Sequence, residues 1–204
     1  MPVDDAELLL RWRGGDAEAG RTLIERHAAT LHRFFVNKLP EWVDELSQRT
    51  LLACVEARER IDPARSFRAY LLGIARFQLL RALREHYRDV AGVPEQWSAA
   101  QLVPSPTAAV ADDERRALLL RALRHLSIDT QIALELHYWE DLGVAEIATV
   151  MGEPEGTVKS RLARGRATLR QVLEQLEADG EQLEQTLRNL DGWAAELRAQ
   201  RRDG

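Results

Sequence analysis

The chain has 204 residues, 45% hydrophobic and 30% charged, with a formal net charge of −5. This length allows one ordinary domain or two small ones, and the composition is that of a globular protein rather than a disordered one. A single cysteine, Cys54, excludes internal disulfides and cysteine-built zinc sites, and its apolar surroundings predict a buried side chain. No apolar run is long enough to span a bilayer and the N-terminus is acidic, so we expect a cytoplasmic protein without membrane insertion.

The charges are sorted along the chain. Residues 64–88 hold six arginines and one acidic residue, and residues 155–170 hold five basic residues and one acidic residue. From residue 174 to the C-terminus, eight acidic residues face four arginines. Locally basic segments are therefore present although the whole chain is acidic.

The first half predicts four helices, because apolar residues recur at helical spacing and the alternation typical of strands is absent. They run at about 4–13, from Asp16 toward Pro40, at about 42–60 and at about 64–87. Gly14-Gly15 and Ile61-Asp62-Pro63 are the predicted breaks. Capped by Asp16, the second helix has one predicted core face, formed by Ala19, Leu23, His27, Leu31 and Phe34 or Phe35. The third helix is predicted to bury Val43, Leu46, Thr50, Ala53 or Cys54, and Ala57.

The composition of the chain changes between its two halves. Residues 89–112 contain four glycines or prolines without a steady period, which indicates an interdomain linker. Four further helices are predicted at about 113–126, 129–140, 144–151 and 155–176, and an amphipathic piece at about 181–198. The fold is therefore predicted as all-α, with two small helical domains, a flexible linker and a C-terminal helical extension. The predicted ranges are 1–88, 89–112, 113–176 and 177–204.

Residues 142–170 carry the sharpest motif. A short helix, a turn around Gly152-Glu153-Pro154 and a longer basic helix predict a helix-turn-helix. Packing of Ile147 and Ala148 on Val158 and Leu162 would hold the two helices together. The first turns of the second helix would then enter the major groove, with these residues nearest the bases: Thr157, Lys159, Ser160, Ala163 and Arg164. Phosphate contacts are predicted for Arg161, Arg166 and Arg170. A merely solvated basic face is the alternative that the pattern leaves open.

This motif resembles region 4 of the sigma-70 family, above all its extracytoplasmic-function group. Glu146-Ile147-Ala148 and residues 156–166 match the family's EIA box and its G-T-V-K/R-S-R-L-x-R-A/G-R pattern. Upstream of it, Ser127 replaces the usual proline and Gln131 a frequent arginine.

Two stretches of the first half resemble region 2 of the same family. Residues 44–50, DELSQRT, are similar to D-D-L-x-Q-E-T, with Arg49 in place of the acid. Residues 67–76, FRAYLLGIAR, are similar to F-x-A-W-L-x-x-I-A-R, with Tyr70 for tryptophan. Phe77 stands where the family usually has asparagine. The stripe of Phe67, Tyr70 and Ile74 is predicted to be core rather than a stacking surface.

The resemblance implies a sigma factor that binds core RNA polymerase and promoter DNA, with an anti-sigma factor as a further candidate partner. The helix at 44–50 would dock on the clamp helices of the largest polymerase subunit through Asp44, Glu45, Leu46 and Gln48, with Leu46 supplying either core or contact area. The loop at 61–66 and the helix after it would engage the melting −10 element through Arg65, Ser66, Arg68 and Arg76. The −35 element would be read by Thr157, Lys159, Ser160, Arg161, Ala163, Arg164 and Arg166. A purely structural role is the alternative for several of these residues.

Other functional classes find little support in the sequence. The five histidines lack paired metal-ligand spacing, and no phosphate loop or nucleophile elbow is present. We therefore expect no enzyme, no metal and no cofactor. Two alternatives remain: a helix-turn-helix regulator that does not direct polymerase, and a protein-binding module that sequesters a partner. The amphipathic piece at 181–198 is expected either to pack as a strap on the C-terminal domain or to lie as an acidic inhibitory segment across a basic surface.

Overall fold

The computed structural model describes residues 3–87, 96–102 and 114–176. The chain divides into two compact units, residues 1–89 with 149–152 and residues 90–148 with 153–204. Within the described ranges every regular element is a helix, and the one extended pairing is an isolated bridge between Ser98 and Ser127. None of the helices in these ranges has the length and apolar character needed to cross a membrane. The predicted all-α fold is confirmed, whereas the predicted extension at 177–204 lies outside the described residues.

The first unit consists of four α-helices and two short 3-10 helices in its described part. Their bounds are α1 Asp5–Arg13, α2 Ala17–Val36, a 3-10 turn Pro40–Trp42, α3 Val43–Ala57, a 3-10 turn Arg58–Arg60, and α4 Phe67–His86. Asp4, Asp16 and Ser66 each precede an α-helix and accept a hydrogen bond from the backbone N–H three residues later, so they cap α1, α2 and α4. The helix predicted at 42–60 is shorter than expected, because its ends tighten into 3-10 turns.

The core of the first unit lies on the predicted faces of α2 and α3. All the residues predicted on the α2 face are buried, namely Ala19, Leu23, His27, Leu31, Phe34 and Phe35. On α3 the buried residues are Val43, Leu46, Thr50, Cys54 and Ala57. Burial raises the pKa of the Cys54 thiol to about 11, which fits its predicted role as a small apolar side chain. From α4, Phe67 is buried, whereas Tyr70 and Ile74 are only half-buried.

Polar contacts fasten α1 to α2. The Asp5 carboxylate lies 2.7 Å from His27 Nε2 and accepts a hydrogen bond of 2.6 Å from Arg26. Burial alone would raise the pKa of Asp5, but hydrogen bonds and charge from His27 and Arg26 outweigh it and hold the pKa below its usual value. Further along, the Trp12 ring covers Gly20 so closely that a Cβ there would lie 2.4 Å from Trp12 Cδ1. The two helices therefore form a fastened antiparallel pair.

The remaining helices lie in the second unit, except that residues 149–151 are grouped with the first. Their bounds are α5 Ala99–Leu102, α6 Glu114–Arg124, α7 Ile128–Tyr138, α8 Val144–Met151 and α9 Glu155–Leu176. Helix α5 lies inside the segment predicted as linker. The buried Arg124 guanidinium donates to the Ala99 carbonyl at 3.1 Å, and Ile128 N–H donates to the Trp97 carbonyl at 2.8 Å. Burial also lowers the pKa of Arg124. Part of the predicted linker is thus folded against the second unit.

A glycine sets the close approach of α9 to α7. Gly165 is buried, and a Cβ at this position would lie 2.7 Å from Thr130 Cγ2 and 3.4 Å from a methyl group of Leu134. Leu169 and Leu173 continue the buried stripe of α9. The backbone of α9 can therefore rest directly on α7, which positions its first turns.

Candidate nucleic-acid and polymerase interfaces

The helix-turn-helix is built by local hydrogen bonds. Glu146 Oε2 accepts from Gly143 N–H at 3.0 Å, so this glutamate of the EIA box caps the start of α8. Gly152 has φ of +67°, a left-handed conformation that favours glycine. The Pro154 carbonyl then accepts from the N–H groups of Thr157 and Val158 at 2.9 and 3.1 Å, which starts α9. The turn residues predicted from the sequence therefore each have a structural task.

Three of the four residues predicted to pack between the two helices of the motif are buried. Ile147 of α8 is fully buried, as is Val158 of α9, and Leu162 is buried one turn further on. Ala148 is only half-buried. With Val158 and Leu162 buried, the polar side of α9 faces solvent.

The exposed side of α9 carries the predicted DNA-binding residues in two stripes. Thr157, Ser160, Ala163 and Arg164 recur at spacings of three and four and lie on one face. Lys159, Arg166 and Arg170 are exposed on one flank of that face. Ion pairs within α9 join Lys159 to Glu155 at 3.9 Å and Arg170 to Glu174 at 3.5 Å. Pairs of this exposed kind are weak, so a phosphate can replace the carboxylate.

Arg161 has partners that differ from its predicted phosphate contact. Its side chain is only 21% exposed and lies on the other flank of α9. The guanidinium donates to both carboxylate oxygens of Glu153, at 2.5 and 3.3 Å, and lies 4.0 Å from the buried carboxylate of Asp129. Arg161 therefore joins the turn and the start of α7 to α9, and its predicted DNA contact, which stays a prediction, would compete with these partners.

In the stretch of α3 predicted to dock on polymerase, three of the four predicted residues are exposed. Asp44, Glu45 and Gln48 are exposed, whereas Leu46 is 1% exposed and belongs to the core. The sequence predicts either a core or a contact role for Leu46, and its burial favours the core role. Arg49, which replaces the family's acid, binds Glu45 at 2.5 Å and lies 3.7 Å from Glu85 of α4.

The predicted −10 residues occupy distinct environments. Arg65 is the most accessible of them, with 75% of its side chain exposed and a contact of 3.4 Å to Asp62. Ser66 Oγ is engaged in the cap of α4, where it accepts from Ala69 N–H at 3.2 Å. Arg68 and Arg76 are half-buried on α4. A direct base contact of Ser66 would have to compete with its cap.

Phe77 was not among the site residues predicted from the sequence, and the structure exposes its side chain to solvent. This side chain is 58% exposed on α4, and the exposed Arg81 and Arg84 follow it at spacings of four and three. The sequence feature that could have indicated this position is the replacement of the family's usual asparagine by phenylalanine. In the described ranges, no group of three or more His, Cys, Asp or Glu residues is arranged to hold a metal ion.

Comparison with protein families matches both halves of the chain. The family model "Sigma-70 region 2" matches residues 23–89, and "Sigma-70, region 4" matches residues 116–169. The ECF RNA polymerase sigma factor SigL of Mycobacterium tuberculosis is 33% identical over 166 residues, which cover 79% of this chain and 92% of SigL. The RNA polymerase sigma factor CarQ of Myxococcus xanthus is 30% identical over 174 residues, covering 83% and 97%.

Solved structures show the same fold. The sigma factor RpoE from Bartonella quintana, in complex with the anti-sigma factor NepR, aligns with a TM-score of 0.60 at 21% identity, covering 78% of this chain and 97% of that one. CnrH in complex with the cytosolic domain of CnrY aligns with a TM-score of 0.59 at 24% identity, covering 83% and 97%. The helical units and the helix-turn-helix are those of a sigma-70 family protein. More specifically, the chain belongs to the extracytoplasmic-function group of RNA polymerase sigma factors.

Proposed function

We propose that this sigma factor binds core RNA polymerase through α3 and reads the −10 and −35 promoter elements through the 61–66 loop with α4 and through α9. The observation that carries the proposal is the basic exposed side of α9, in the unit that matches region 4, combined with the exposed acidic residues of α3 in the unit that matches region 2. The protein acts in the cytoplasm, where RNA polymerase is found, and is not an enzyme.

The charge of each surface is complementary to that of its proposed partner. The flank of Lys159, Arg166 and Arg170 supplies three exposed cations for phosphates, and phosphate contacts fix register without reading bases. Arg164, on the central face, has the fork of donors that pairs with a guanine edge. On α3, the carboxylates of Asp44 and Glu45 suit a basic polymerase surface.

An anti-sigma factor is a further proposed partner, since RpoE and CnrH, which share this fold, were each solved with a bound protein. Run-off transcription with purified core polymerase on promoters of the host tests the main proposal. A regulator that does not direct polymerase would bind duplex DNA without supporting transcription. A sequestering module would bind core polymerase without binding DNA.

Replacing Arg164 by alanine is expected to relax the preference for one −35 base pair, at a cost of about 1–3 kcal/mol in binding free energy. Arg170→Ala should instead weaken binding to all sequences alike and lower the salt dependence by about one counterion. Titration of holoenzyme with −35 duplexes that differ at one position, at several salt concentrations, measures both effects. Unchanged selectivity in Arg164→Ala would show that this residue does not read a base.

The double variant Glu45→Lys, Gln48→Ala is expected to fold normally and to lose affinity for core polymerase, because it reverses charge on the exposed side of α3. Glu25→Lys on α2 is a matched control, since Glu25 and Glu45 are both 60% exposed and each pairs with an arginine four residues away. A core-binding titration and a thermal melt measure the two properties. Equal affinities of the double variant and the control would place the docking surface elsewhere.

A further inference from the structure

The last residue of α1 reaches across the first unit to the segment that connects α3 and α4. Arg13 Nε donates to the Arg58 carbonyl at 2.8 Å, and Arg13 Nη2 donates to the Ile61 carbonyl. Both bonds are partly buried and join residues more than forty positions apart. One guanidinium therefore fixes the backbone on both sides of the 3-10 turn Arg58–Arg60.

These carbonyls lie where the chain leaves the helix, and carbonyl groups at a helix end lack partners within the helix. The Arg58 carbonyl also accepts a long bond of 3.4 Å from Ile61 N–H. A cation is also favourable at the C-terminal end of a helix. Arg13 thus supplies donors and charge at the point where the 61–66 loop begins.

The loop between Ile61 and Ser66 is fixed at both ends. Ile61 is buried at the first end, and Ser66 caps α4 at the other. In between, Asp62 accepts hydrogen bonds from the N–H of Ala64, through its side chain, and from the N–H of Arg65, through its carbonyl, at 3.0 and 3.1 Å. Arg65 is held at the exposed tip. Loss of the Arg13 bonds would free the Ile61 carbonyl, and the first end of the loop would then be held only by the burial of the Ile61 side chain.

Helix α1 can serve as an anchor because it is itself fastened. The Asp5 contacts with α2 secure its first turn, and the Trp12 ring packed on Gly20 secures its last turn. Arg11 also binds Asp16 at 2.7 Å across the turn between the two helices. The position of Arg13 is therefore determined by the α1–α2 pair, independently of the loop that it holds.

We propose that Arg13 is a positioning residue for recognition of the −10 element. It does not touch DNA; it holds the 61–66 loop in the shape that presents Arg65 to the opened strand. The inference rests on the proposed function of this loop. A preorganised loop binds without the entropy cost of ordering, and it discriminates bases because its side chains arrive in one geometry. Releasing the loop should therefore reduce base discrimination more than it reduces overall binding.

The test measures the binding of holoenzyme to a fluorescent single-stranded oligonucleotide. The oligonucleotide carries the −10 region of a promoter that the wild-type holoenzyme transcribes, and it is compared with versions in which one base is replaced. For Arg13→Ala, we expect the ratio of affinities between the original and the altered oligonucleotides to fall by about tenfold, in the range of one lost charge-assisted hydrogen bond. Affinity for core polymerase should stay within about twofold of wild type. Arg13→Lys should restore part of the ratio, because one ammonium replaces the two-pronged donor.

Two further variants separate positioning from folding. Gly20→Ala should push Trp12 away and displace α1 while Arg13 is retained, so it should also lower the ratio. Arg21→Ala removes exposed ion pairs within α2, to Glu18 and Glu25, which do not join α1 to α2, and it should leave the ratio unchanged. If Arg13→Ala lowers the melting temperature but keeps the base discrimination of wild type, Arg13 is only a structural strap and the proposal is overturned.

Arg65→Ala shows whether the loop reads the −10 element at all. If Arg65→Ala relaxes discrimination and Arg13→Ala does not, the positioning role of Arg13 fails while the proposed function of the loop stands. If neither variant changes discrimination, the −10 assignment of the loop fails, and the role of Arg13 fails with it.

Discussion

Replacing Gly165 by valine is expected to unfold the contact between α9 and α7 and to abolish −35 binding. A Cβ alone would lie 2.7 Å from Thr130 Cγ2, and the two methyl groups of valine would extend further into Leu134. Overpacking of this kind costs about 1–3 kcal/mol and more when backbone must move. That is a large share of the stability of a small domain, about 5–15 kcal/mol. A thermal melt and a titration with −35 duplex measure the loss.

A rescue experiment tests whether the Thr130 methyl group is the cause. Thr130→Ser removes Cγ2 and keeps the hydroxyl that contacts Ser127 Oγ at 2.8 Å. Gly165→Ala should destabilise the wild-type chain. In the Thr130→Ser background it should be neutral or stabilising, because alanine gains about 1 kcal/mol over glycine in a helix. Equal effects of Gly165→Ala in both backgrounds would contradict the close approach.

Arg161→Ala is expected to weaken −35 binding for every sequence and to lower the melting temperature. Removing the guanidinium breaks a half-buried, charge-assisted bond to Glu153, worth about 1.5–3 kcal/mol, and frees the turn that sets the start of α9. Because a brace touches no phosphate, the salt dependence of binding should keep its slope. A phosphate contact would instead lower the slope by about 0.9. Titrations at several salt concentrations distinguish these cases.

Glu153→Gln is a matched control for Arg161→Ala. It removes the same ion pair but leaves the positive charge of Arg161 in place. It should reproduce the phenotype of Arg161→Ala, including unchanged base preference. A lower salt slope in Arg161→Ala, together with wild-type behaviour of Glu153→Gln, would show that Arg161 contacts a phosphate and is not a brace.

The elements that sequence predicted best are those with strong local signals. The bounds of α8 and α9 coincide with the predicted 144–151 and 155–176, because Gly152 and Pro154 mark the turn between them. The capping role of Asp16 was likewise visible in the sequence. The ends of α3 were not, because a 3-10 turn differs from an α-helical turn in its hydrogen-bond register rather than in its composition.

Contacts between distant residues explain most of what the sequence did not indicate. Helix α5 lies in a segment rich in glycine and proline, and its tertiary support comes from Arg124, twenty-five residues from Ala99. The pairing of Arg161 with Glu153 crosses a turn, so a basic helix read alone placed Arg161 with the DNA-binding residues. Ser66 and Leu46 were chosen from motif positions, and only the three-dimensional packing shows that one caps a helix and the other is core.

The burial of Cys54 gives the first unit a built-in reporter of its own opening. A thiol with a pKa of about 11 is almost entirely protonated at neutral pH, and only the thiolate reacts readily with alkylating agents. Since the side chain is also fully covered, reagent reaches it only when the helices around α3 separate. The chain has no second cysteine to compete. The rate at which the native protein is alkylated therefore measures how often the first unit opens.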